Sequence, residues 1–170
     1  MSNTLNKLSK ISRYAEMITI AMMVLLVIGI TALLVLGAAV ILNPSLLAEM
    51  ASGDLSDGQI RTVLVTAVCA LILGFVTLYY IYRLFKSIHV NNTPFMDESV
   101  KCLERIAIMV IICTIVLPII TYAAVHLLNG SQEQVFEFNP FSLFIAFMFY
   151  FLSLIFKYGV ALQKESDATL

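Results

Sequence analysis

The chain has 170 residues, of which 61% are hydrophobic and 12% charged, and its formal net charge is −1. A soluble domain carries about 45–50% apolar and about 25% charged residues, so this chain has too much apolar surface for one water-soluble core and too little charge to cover it. A soluble enzyme is excluded, no overall basic field points to nucleic acid, and the class is integral membrane protein.

Lys7, Lys10 and Arg13 precede the first apolar run, 17–42, which has no charged residue inside it. A helix needs about 20 apolar residues to cross roughly 30 Å of hydrocarbon, so this run must tilt or project. It is too long for a cleavable secretory segment and reads as a signal anchor. Gly29, Ala32 and Gly37 line part of it. In the following outer loop Asn43-Pro44 is an N-cap and first-residue pair, predicting a short helix through Met50 that ends at Ser52-Gly53-Asp54.

The second run, 63–82, contains Ala70 and Gly74, a small-xxx-small pair. Such pairs let helices approach closely in lipid, and packing within one bundle is a plainer use than a dimer face. The third run, 106–128, contains Pro118, which removes a backbone bond to Thr114 and predicts a kink. His126 lies near its outer end, with Glu133 and Glu137 in the loop beyond. Three such groups can hold a divalent cation or sense pH, but their spacing fixes nothing and a solvated histidine is the simpler reading. Asn139-Pro140 opens the fourth run, 141–158, which is short enough that Lys157 should snorkel to the headgroups.

These four runs should be helices, because lipid offers backbone N–H and C=O groups no other partner. The fold expected is an all-α, four-span bundle formed as a single membrane domain, with an inner loop at 83–105 and an inner tail at 159–170. Nine of the ten basic residues fall on one side of the spans, and Arg61 alone on the other. The positive-inside rule therefore places both termini and the central loop in the cytoplasm. Tyr14, Tyr79, Tyr80, Tyr82 and Tyr158 gather at the same ends, at the level where phenol rings suit the headgroup zone.

No reaction is legible. Cys69, Cys102 and Cys113 form no CxxC or Cys/His cluster, so neither a disulfide framework nor a zinc site is expected, and Cys69 and Cys113 read as buried small hydrophobes. Proton or ion coupling needs an ionisable group at membrane depth. The mid-span polar groups are Thr31, Thr66, Thr114 and Ser153, all able to bond back to their own helices, and none is ionisable. Hydrolase, metalloprotease and P-loop signatures are absent. The expectation is a protein that is not an enzyme and holds no cofactor.

The inner segments carry more information. In the central loop Thr93-Pro94 predicts a helix start, with Asp97 and Glu98 suited to the positive end of the dipole. Val100, Leu103, Ile106 and Ala107 share one face, so the third span should begin about two turns before the apolar run, with Phe95 as its anchor at the membrane surface. The tail should continue the fourth helix with Leu162 facing inward. Arg83, Lys86, Lys101 and Arg105 read most simply as topology determinants in contact with anionic lipid. Glu98, Glu104, Glu165 and Asp167 among them favour a second use, docking of a cytosolic protein.

Tyr82-Arg83-Leu84-Phe85-Lys86, then Thr93-Pro94-Phe95 with Glu98, Val100, Leu103 and Ile106-Ala107, and the tail Phe156, Gly159, Leu162, Glu165, Asp167, Thr169-Leu170 together resemble domain-of-unknown-function family 2975. Where that pattern often has Gly before the Pro-Phe pair, this chain has Thr93. The resemblance implies a small four-span bacterial membrane protein and a partner, since members are often encoded beside a small helix-turn-helix regulator. It supplies no catalytic residue. The docking candidates are Arg83, Lys86, Thr93, Pro94, Phe95, Glu98, Lys101, Arg105, Leu162, Glu165 and Asp167. The leading expectation is a non-enzymatic regulator in the bacterial cytoplasmic membrane that binds a cytosolic DNA-binding protein, without touching nucleic acid itself. The alternatives are a small permease, exporter or immunity component for lipids or lipophilic compounds, or an accessory subunit, and homo-oligomers fit any of these.

Overall fold

Among the described residues four helices follow one another: α1 (Ser2–Leu42), α2 (Asp57–Asn91), α3 (Asp97–Asn129) and α4 (Pro140–Ala168). The computed structural model describes residues 2–43, 57–91, 93–129 and 139–168, and among these there is no strand. Each helix contains one of the four apolar runs and is long and apolar enough to cross a membrane. The protein is thus all-α with four candidate spans. The short helix expected between Asn43 and Met50 falls outside the described residues, whereas Asn139-Pro140 does open α4.

The helices are longer than the spans they contain. At 1.5 Å per residue the 41 residues of α1 extend about 60 Å, twice the hydrocarbon thickness. Residues 2–16, 83–91, 97–105 and 159–168 are helical beyond the apolar runs. The amphipathic start of the third helix is present, with Val100, Leu103, Ile106 and Ala107 at 1–7% exposure. Its first residue, however, is Asp97 rather than Pro94. The Met96 carbonyl accepts the Val100 N–H, which makes Met96 the capping position, and Thr93 Oγ1 instead accepts the Phe95 N–H in a local turn. Pro94 accepts from the Met96 N–H in that turn. α3 then runs as one helix through Pro118.

The chain forms two compact units: Met1–Val24, Val76–Ile111 and Pro140–Leu170 make the first, Leu25–Phe75 and Ile112–Asn139 the second. The first has its core where α2 meets α3, around Leu84, Ile88, Cys102, Leu103 and Ile106, with Phe149 and Phe156 of α4 packed against it. Leu162 does not face this core. The buried face of α4 runs through Ala146, Ser153 and Val160, and Leu162, two residues past Val160 and so on the opposite side, is 48% exposed. In the second unit Val40 and Ile60 are buried together with Leu64 against them. There Gly29 receives Leu71 and Gly74 receives Leu26, so these small residues pack α1 against α2 within the chain.

Burial in the apolar stretches is sparse. Val35, Leu25, Phe141 and Phe147 are 60–69% exposed. Such continuous apolar surface is untenable in water and is what acyl chains require. Thr31, Thr66 and Ser153 donate to carbonyls three or four residues back, which removes their hydroxyls from the lipid problem.

Candidate functional site

The helical extensions of the first unit form a head in which successive helices touch. Ser12 Oγ of α1 donates to the Phe85 carbonyl of α2 at 2.6 Å, and Ser9 Oγ lies 3.3 Å from His89 Nδ1. Between α2 and α3, Ser99, fully buried, donates to Ser87 at 3.4 Å, and small hydroxyl side chains hold these helices close. Between α3 and α4, the Phe95 ring meets Phe156 edge-to-face at 5.7 Å and covers Gly159. Lys164 Nζ donates to Asp97 Oδ2 at 3.0 Å.

The charged groups sort themselves on this frame. Arg83 Nη2 donates to Glu98 Oε1 at 2.6 Å, an ion pair between α2 and α3. Arg105 Nη1 donates to the Tyr80 hydroxyl at 3.0 Å, with its guanidinium 5.5 Å from the ring centre. Lys86 lies 5.6 Å from the centre of the Tyr82 ring on its own helix. Two open clefts result. The larger, about 420 Å³, is lined by Tyr80, Arg83, Lys101 and Arg105 with Asp97 and Glu98. The other, about 340 Å³, runs past Tyr79, Tyr82, Lys86 and Val90. Arg83 and Glu98 line both, so their ion pair separates them.

The docking candidates therefore do not form one patch. Arg83, Glu98, Lys101 and Arg105 share the larger cleft, and Lys86 belongs to the second. Thr93 and Pro94 shape the turn, and Phe95 is seated on α4. Leu162 and Glu165 are exposed on α4, and Asp167 continues that helix. Sequence reasoning did not select Tyr80 or Lys164 as partners. They bond to residues 25 and 67 positions away, and no local pattern announces such pairs.

Among the described residues no three His, Cys, Asp or Glu gather to hold a metal ion. The His126 ring rests against Tyr122 at 4.3 Å, and Glu133 and Glu137 lie outside the described residues. Cys102 is the buried cysteine, while Cys69 and Cys113, read from the sequence as buried, are partly exposed.

Four apolar helices with a small helical head define a multi-pass membrane protein. The chain belongs to the family described as Protein of unknown function (DUF2975), which it matches over residues 46–170. No curated protein and no solved structure matches it.

Proposed function

We propose that this protein is a non-enzymatic membrane regulator whose head binds a small cytosolic helix-turn-helix transcription factor and holds it at the membrane. In this reading the protein lies in the bacterial cytoplasmic membrane with the head and both termini inside, an orientation supported by the nine basic residues on that side. The observation that carries it is the meeting of the two family-like segments. Asp97 and Lys164 pair across α3 and α4 with both side chains about two-thirds exposed, so the central loop and the tail meet at one exposed point beside the clefts. Leu162, two residues before Lys164, adds an exposed apolar contact, and the mixture of acids and bases suits a protein more than bare lipid.

The test is cross-linking in cells of the tagged full chain beside a version truncated before Leu162, followed by purification and identification of what each retains. The intact chain is expected to retain a small helix-turn-helix protein and the truncation to lose it. Retention by both Phe95→Ala and Asp167→Ala would remove the residue-level basis of the reading. If the full chain retains no such protein the reading fails, and a flux or lipid assay then tests the exporter alternative.

A further inference from the structure

Four basic residues follow or precede the apolar runs of α2 and α3, and they are not equivalent. Arg83 is engaged by Glu98, and Lys86 lies outside the larger cleft. The acids that line the cleft are both occupied, Glu98 by Arg83 and Asp97 by Lys164. Lys101 has no ion-pair partner among the described residues and is exposed. Arg105 makes its hydrogen bond to a neutral phenol, and a guanidinium has five N–H donors. Two cationic side chains one helical turn apart thus face a cleft whose negative charge is already balanced.

The level of this cleft is set by the sequence. Arg105 immediately precedes the apolar run of α3, and Tyr80 lies in the last turn of the apolar run of α2. That is the headgroup level, where tyrosine and arginine are at home. On α3 the row Lys101, Arg105, Ile108 keeps the i, i+4, i+7 spacing of one face, and Ile111 follows beside it. Ile108 and Ile111 are 54% and 40% exposed, directly below the cations. A phosphate above and acyl chain below match the order of chemistry along this face. Free phosphate shares only the upper half.

We propose that the cleft bounded by Tyr80, Lys101 and Arg105 is a binding site for the phosphate headgroup of an anionic phospholipid, with an acyl chain lying along Ile108 and Ile111. The site does not depend on the regulator reading. Its function is to fix the axial position of α3, and with it the head, relative to the inner surface of the bilayer.

The test uses the full chain purified in detergent, stripped of lipid, and mixed with phosphatidylglycerol or phosphatidylcholine, with retained lipid read by native mass spectrometry. Wild-type protein is expected to retain phosphatidylglycerol in preference. Lys101→Gln with Arg105→Gln should lower that retention about tenfold or more, because each cation near the surface contributes to anionic-lipid attraction, while Lys86→Gln should change it less than about twofold. Equal retention of the two lipids, or a double variant that retains phosphatidylglycerol as wild type does, overturns the proposal. So does displacement of phosphatidylglycerol by inorganic phosphate in the absence of any lipid preference, which would mark a free-phosphate site. Should the double variant fail to fold, Glu98→Gln decides: removing this acid leaves Arg83, which already lines the cleft, without its counter-charge, so retention should rise, and an unchanged or lower value overturns the site.

Discussion

The ring of Phe95 occupies the space that a side chain at position 159 would need. A methyl group on Gly159 would lie 2.6 Å from Phe95 Cε1 and nearer still to Cδ1. The turn between α2 and α3 is therefore fastened to α4 by an aromatic ring on a bare helix surface, with Phe156 supplying the edge contact.

Gly159→Ala should consequently destabilise the head although alanine is the better helix former. Overpacking costs about 1–3 kcal/mol and exceeds the propensity gain of about 1 kcal/mol. In a Phe95→Ala background the same change should be neutral or stabilising. Thermal unfolding of the four proteins in detergent gives the coupling, and additivity of the two substitutions would refute the contact.

Ser99 sets the distance between α2 and α3. It is fully buried, and its neighbour Ser87 is 4% exposed. Ser99→Ala removes a long hydrogen bond and should cost at most about 1 kcal/mol. Ser99→Leu must separate the helices and should cost more than the alanine variant, by about 1–3 kcal/mol. Comparison of the two unfolding midpoints checks this order.

Cys102 reports on the same contact. It is 3% exposed, in the core between Leu84, Ile88 and Leu103. With Cys69 and Cys113 replaced by alanine, a maleimide should label the folded protein slowly and the SDS-denatured protein quickly. Ser99→Leu should accelerate labelling of the folded form.

Charge asymmetry predicts orientation. Alkaline phosphatase fused within 44–56 should be active and a fluorescent protein fused after residue 170 should fluoresce, since nine basic residues flank the spans on the side of the termini. The opposite pair of results would invert the topology.

The ion pair of Arg83 and Glu98 is half-exposed at both ends, and such surface pairs contribute about 0–1 kcal/mol. Glu98→Gln should therefore shift the unfolding midpoint only slightly. A large shift would mean that the pair organises the head rather than merely separating two clefts.

The four spans, their helical state and the buried face of Val100, Leu103, Ile106 and Ala107 were legible from the residues alone. Hydrocarbon forces a long uncharged run into a helix, and an amphipathic segment outside it declares its buried side by spacing. The start of α3 was legible only to within a turn, because Thr93-Pro94 forms its own hydrogen-bonded turn ahead of Met96. Tertiary structure alone decided which charges are neutralised. Arg83 meets Glu98 and Lys164 meets Asp97, leaving Lys101 and Arg105, the latter bonded only to the Tyr80 hydroxyl, as the cations of the larger cleft without an ion-pair partner among the described residues. It also turned Leu162 outward and Phe95 onto Gly159. The physical reason lies in the solvent. A helix in lipid is apolar toward both its neighbours and the acyl chains, so its sequence specifies that it spans but not its rotation or axial register, and those two quantities choose every long-range pair.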